Sequence, residues 1–216
     1  MKNIILLLVL TSCCFSINYS EALEKLTDSF NNKLETFRAD VTQEVRISDM
    51  GEAQVLTGSI TVKKPNKIML EYRTPVKQDI ISNGKTLWMY FKDKKQVIVQ
   101  DMQTGENKNN IVFQLPRYLS YLKENYTGSL KEEEKPETKN SLLLEFLPKT
   151  KNEDFTLIKL RVDKEKWLPL TTTVFIGEGN SITVSFFNIK TNEITEDSVF
   201  EFKIPKGTEK INSLLE

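Results

Sequence analysis

The chain has 216 residues, in which 30 Lys and Arg balance 30 Asp and Glu, and it contains no His. A hydrophobic share of 39 % with 28 % charged residues is that of an ordinary globular domain. Zero net charge gives no field that would draw nucleic acid, and the missing His removes the commonest general base and metal ligand.

Taken in chain order, the N-terminus reads as a targeting segment over residues 1–20. Lys2 is followed by the apolar run Ile4 to Leu10 and then by small residues; the run is too short to span a bilayer and suits a secretory signal. Its end has two readings. Ser16 or Ser20 would precede an ordinary cleavage, whereas Leu10-Thr11-Ser12-Cys13 resembles a lipobox that would leave Cys13 diacylated. Cys13 and Cys14 are the whole cysteine content, so the body, residues 21–216, holds no disulfide framework, zinc cluster or cysteine nucleophile.

From Glu21 to about Leu34 the period becomes helical: Leu23, Leu26, Phe30, Leu34 and Phe37 form one apolar stripe, with Ser20 as the N-cap. The stripe fits a helix on a core and equally a helix plugging the mouth of a half-open barrel. Strands follow. Phe37, Ala39, Val41, Val45 and Ile47 share one face; further strands are predicted over 54–63, 67–73, 77–82, 86–92 and 96–102. Ile60 and Val62 point one way against Ser59, Thr61 and Lys63, as do Ile68, Leu70 and Tyr72 against Lys67, Glu71 and Arg73. Asn83-Gly84 predicts a type I′ hairpin turn, and Pro65 sits between runs, where its missing N–H breaks no ladder.

Thr104 to Asn110 reads as a loop and Ile111 to Tyr126 as a helix with Val112, Leu115, Leu119 and Leu122 on one side. The Lys- and Glu-rich stretch Lys131 to Asn140 reads as a solvated excursion. Strands return over 141–147, 156–163, 168–176, 181–190 and 199–204. Without a repeat or a compositional break, about eleven strands and two helices pack most simply as one antiparallel sheet curled around helical segments. The chain offers no Gly-x-Ser-x-Gly elbow, no phosphate loop and no metal-ligand spacing, so neither catalysis nor a cofactor is expected. Lys92, Lys94 and Lys95 beside Tyr90 and Phe91 fit a solvated hairpin turn better than a base-stacking platform.

Several of these residues also carry a resemblance. Gly58, Val62-Lys63-Lys64-Pro65-Asn66, Pro75, Ser82-Asn83-Gly84-Lys85-Thr86-Leu87-Trp88 and Tyr90 resemble the hallmark block of the periplasmic outer-membrane lipoprotein carriers of the LolA type. Upstream, Phe37-Arg38-Ala39-Asp40-Val41-Thr42-Gln43 resembles that family's Phe-x-Ala-x-Phe-x-Gln entry into the first strand, and Gln96 falls where the family often has Gln. The resemblance implies a single curled, unclosed antiparallel half-barrel with helices covering its concave side. It implies a monomeric carrier that takes acylated lipoproteins from an inner-membrane lipoprotein-releasing transporter and delivers them to an outer-membrane receptor or acceptor membrane. A membrane-anchored acceptor of the same fold and a non-catalytic sensing module are the alternatives. The implied acyl-chain cavity is lined by Val41, Val45, Ile60, Val62, Ile68, Leu70, Tyr72, Ile80, Trp88 and Tyr90, and the implied lid comprises Lys64, Val112, Leu115, Leu119 and Leu122. Trp88 and Tyr90 are equally at home as plain core residues. Lys64 stands where the family usually has an Arg that holds the helical lid; Lys lacks the planar fork for two carbonyls, and as a turn residue it needs no partner.

Overall fold

The structure, a computed structural model, describes residues 17–102, 115–131, 140–150, 155–177 and 179–211. Residues 1–16 of the expected targeting segment, with Cys13, the 104–110 loop and Val112 lie outside the described residues. The first helix, α1 (Tyr19–Asp28), starts just before the expected cap: Asn18, not Ser20, accepts the Glu21 N–H at 2.9 Å. A cut after Ser20 would remove that cap, whereas one after Ser16 would keep it. The apolar stripe continues into a wider π-helical turn, Ser29–Lys33, which keeps Phe30 buried before the chain turns extended at Leu34.

The strands are β1 (Thr36–Arg46), β2 (Gln54–Lys63), β3 (Lys67–Thr74), β4 (Gln78–Asn83), β5 (Thr86–Phe91) and β6 (Gln96–Asp101). After α2 (Leu115–Asn125) come β7 (Tyr126–Lys131), β8 (Ser141–Pro148), β9 (Leu157–Asp163), β10 (Pro169–Ile176), β11 (Asn180–Thr191) and the short β12 (Glu209–Ile211). All twelve form one unclosed sheet in the order β12-β6-β5-β4-β3-β2-β1-β11-β10-β9-β8-β7. Every described pairing is antiparallel except that of β12 with β6. This order decides the architecture. The strands β6 and β7, consecutive in the chain, lie far apart in the row: β6 stands next to the border strand β12 and β7 at the opposite border.

Three expectations need correction. Tyr126 and Lys131 belong to a strand on β8, Tyr126–Lys131, so the helix ends before Tyr126 and Lys131 does not open the excursion, of which 132–139 lie outside the described residues: Tyr126, Gly128 and Leu130 pair with Pro148, Phe146 and Leu144. Residues 199–204 are not a strand. A 3-10 turn at Asp197–Phe200 buries Phe200, and the border of β6 is taken instead by Glu209–Ile211. The Asn83-Gly84 turn is not type I′, which requires positive φ at both residues; only Gly84 has it, at 90°, while Asn83 Oδ1 accepts the N–H groups of Lys85 and Thr86.

The main core lies between the helices and one half of the sheet. Ala22, Leu23, Leu26 and Phe30 meet Leu119 and Leu122 of α2, with Phe37 and Ala39 from β1, Phe146 from β8 and Ile158 and Leu160 from β9. On the other face the C-terminal segment crosses the sheet. Its Asp197 binds Lys63 and Lys67, each at 2.7 Å, and these two lysines hold its carboxyl down to about 2. A depressed carboxyl contributes stability that is complete above its unfolded value, about pH 4, and lost as pH falls through the folded value. In a Trp167→Phe background, Trp88 fluorescence is therefore expected to hold steady from neutrality to about pH 4 and to change towards pH 2. Asp197→Asn should displace the signal already at neutral pH; an unchanged spectrum there would show that the ion pairs do not hold the segment.

Candidate functional site

Strand register settles which side chains share the inner, helix-bearing face. On β1 they are Phe37, Ala39, Val41, Gln43 and Val45. Opposite them on β2 lie Val62, Ile60, Gly58 and Leu56, on β3 Ile68, Leu70 and Tyr72, and on β4 Ser82, Ile80 and Gln78. On the other side of β1, Phe186, Val184 and Ile182 of β11 continue the surface. Val41, Val45, Ile60, Val62, Ile68, Leu70, Tyr72 and Ile80 are thus brought to one face.

Trp88 and Tyr90 are not. Leu87 and Met89 pair with Ser82 and Ile80 on the inner face, so Trp88 and Tyr90 point outwards, opposite Ile81 and Asp79. There they meet Phe202 of the C-terminal segment, with ring centroids 6.3 and 5.3 Å apart. The stretch Thr86–Phe91 is apolar on both sides because both are covered, and alternation cannot choose a face in such a strand.

Beyond the helix-packed core, the inner face carries a second apolar cluster. Val41, Leu70 and Tyr72 are buried, with Leu56, Ile60, Ile80, Val184 and Phe186 partly buried around them. No described residue of α1 or α2 belongs to it. Ile60 and Phe186 touch both clusters, so they link the mostly apolar surface under the helices to the strands beyond them. Sequence reasoning missed Leu56, Val184 and Phe186; the period-two pattern of β11 was available, but nothing local tells that β11 lies beside β1.

The implied lid residues divide. Leu119 and Leu122 are buried in the helix–sheet core, and Leu115 opens α2 with its side chain outside the described set. Lys64 does reach a helical segment, but it is the π-helical turn after α1: its Nζ donates to the Asn31 carbonyl at 2.9 Å. It is the one side-chain bond described for Lys64, which lacks the planar fork of an arginine. Between the helices runs a cleft of about 630 Å³ lined by Tyr19, Leu23, Thr27, Leu119, Lys123 and Tyr126 among others. Its mixed polar lining and its place at the β7 border set it apart from the inner-face cluster; it is a seam between two helices.

The outer face holds charge instead. Lys92 Nζ lies 2.8 Å from Asp79 Oδ1 and 3.3 Å from Glu71 Oε1. The Asp79 contact is off the hydrogen-bond axis, and burial raises its carboxyl while Lys92 pulls it back. Glu71 and Asp79 pair across β3 and β4 away from the hollow, so the apolar side stays free of carboxylates there.

An open antiparallel half-barrel, apolar within, charged without and helix-covered on its concave side, defines a class of proteins built to shelter something greasy. The chain belongs to the family described as outer membrane lipoprotein carrier protein LolA, whose pattern matches residues 32–203. It is 33 % identical over 223 residues to an outer-membrane lipoprotein carrier protein of Francisella philomiragia, covering 98 % of each chain. The carrier of the same description from Pasteurella multocida is 28 % identical over 205 residues, 95 % of this chain and 92 % of its own. Among solved structures, an uncharacterized conserved protein from Thermus thermophilus shares the fold, with a TM-score of 0.56 at 12 % identity, covering 90 % of this chain and 99 % of that one.

Proposed function

We propose that this protein carries acylated lipoproteins across the periplasm, holding their acyl chains against the inner face of the sheet and releasing them at the outer membrane. The observation that carries the reading is the mostly apolar surface that Ile60 and Phe186 link from beneath α1 and α2 to the cluster around Val41, Leu70 and Tyr72. Among the described residues no helix is long and apolar enough to cross a membrane. The task explains the design. Each methylene brought into water costs about 0.8 kcal/mol, so a sixteen-carbon chain costs on the order of 10 kcal/mol. A carrier must cover such chains, yet it must surrender them without an energy source of its own.

Two-state helices meet both demands. Without cargo they rest on the inner face; with cargo they move off it, and the seam between α1 and α2 gives them a plane along which to part. Lys64 adds one bond, to Asn31 in the turn that follows α1, so the polar tie between β2's end and the helical segment is slight. An inner-membrane transporter would load the carrier and an outer-membrane receptor or acceptor membrane would unload it. Delipidated protein and protein loaded with a diacylated lipopeptide should differ in hydrogen exchange across 115–125, with protection lost on loading. Equal protection there would sink the moving lid, and mature protein purified without any bound acyl lipid, unable to take up the lipopeptide, would sink the carrier reading itself.

A further inference from the structure

A hydrogen-bonded polar pair stands within the mostly apolar inner face, alongside Ser82 and Gln78 of β4. Gln43 stands on β1 between Val41 and Val45, opposite Leu56 on one side and Val184 on the other. Tyr72 stands two strands away on β3, opposite Gly58. Its hydroxyl nevertheless donates to Gln43 Oε1, at 2.5 Å. Gly58 makes that reach feasible. A Cβ there would lie 1.9 Å from the Glu71 carbonyl oxygen, so the close approach of β3 at the local bulge demands glycine. The missing side chain also leaves the phenol an open path over β2 to β1. Burial pushes the phenol up to about 12, so it remains a donor throughout the physiological range.

The consequence falls on the other end of the amide. A glutamine side chain has one acceptor oxygen and two N–H donors. With Oε1 engaged by Tyr72, Nε2 is left to face the half-buried apolar surroundings, and no described residue accepts from it. An amide donor stripped of water by an incoming hydrocarbon loses its hydrogen bonds unless the ligand supplies an acceptor.

We propose that Gln43 Nε2, aimed by Tyr72 across Gly58, donates to a carbonyl oxygen of the bound lipid, the ester or amide through which an acyl chain joins its head. The hollow then distinguishes acyl lipids from chains of the same length that lack a carbonyl, and it fixes how far each chain slides along the sheet. Gln43 is a positioning and specificity residue in this scheme, resting on the acyl-carrier reading above.

The test compares a fluorophore-tagged dioleoyl glycerol diester with the matching dioleyl diether, titrated into the mature protein. Wild type should bind the diester about tenfold more tightly, the worth of one good hydrogen bond withdrawn from water. Gln43→Leu should lose that preference while binding the diether at least as well as wild type, which also shows that it folds. Tyr72→Phe, which leaves the amide in place but unaimed, should keep part of the preference. Equal binding of both lipids by wild type, or an undiminished preference in Gln43→Leu, overturns the inference and leaves the carrier reading standing. Wild type that binds neither lipid overturns both.

Discussion

Leu70→Glu is expected to lower affinity for acyl lipids at least a hundredfold. Leu70 is 7 % exposed, central in the second inner-face cluster and flanked by Ile60 and Ile80 on the neighbouring strands. A carboxylate there either stays charged in an apolar surface or takes up a proton, and both are costly once an acyl chain excludes water. Thr42→Glu, on the outer face of β1, puts the same charge on the side away from the hollow and should leave binding unchanged. A binding titration of both variants decides the matter. Undiminished binding by Leu70→Glu would place the acyl chains elsewhere, the seam between α1 and α2 being the next candidate.

Phe146→Ala should be the most destabilising single truncation in the helix–sheet core. The ring is fully buried, stands on β8 between Gly128 and Ile158, and takes the edge of Tyr19 from α1 at 6.2 Å. Removing it leaves a cavity beneath the helix, which at other proteins' buried Phe positions costs about 3–5 kcal/mol. For a chain of this size that corresponds to a fall in Tm on the order of 10 °C. A fall below about 3 °C by calorimetry would mean that α1 collapses into the gap, and hence that the helix is loosely seated even without cargo.

The two expectations probe opposite ends of one surface, and their separation is the functional point. A core that packed uniformly from α1 to β5 would be stable but could admit nothing. Here the helices complete one part of the core, while the neighbouring cluster around Leu70 includes none of their described residues. Lipid can then compete for the surface the helices use without dismantling the sheet. The polar pair Gln43–Tyr72 sits in that second cluster, where an occupant rather than a helix would meet it.

Much of this was legible in the residues. Alternation in Ile60 to Val62 and in Ile68 to Tyr72 placed these strands on the right face, because one side of each carries apolar and the other polar side chains. The half-barrel class followed from strand number, short turns and the resemblance centred on Gly58 to Tyr90. Other features were not readable. Trp88 and Tyr90 sit in a strand apolar on both faces, and their cover, Phe202, comes from a segment more than a hundred residues away. Tyr126–Lys131 carries the weak alternation of a border strand interrupted by Gly128, which is glycine because the Tyr19 ring occupies the place of its Cβ.

The local pattern by itself determined where most of the strands and the helix of residues 21–34 lie, and which faces of β1 to β4 are apolar. Those properties depend on neighbours one to four residues apart. Only the folded chain decided that β1 joins β11, that β6 and β7 lie far apart in the sheet, that Lys64 reaches the turn after α1, and that Tyr72 reaches Gln43 over a glycine. These are contacts between segments distant in sequence, set by register and by which surfaces meet, and a shift of one residue in any strand would exchange its inside for its outside.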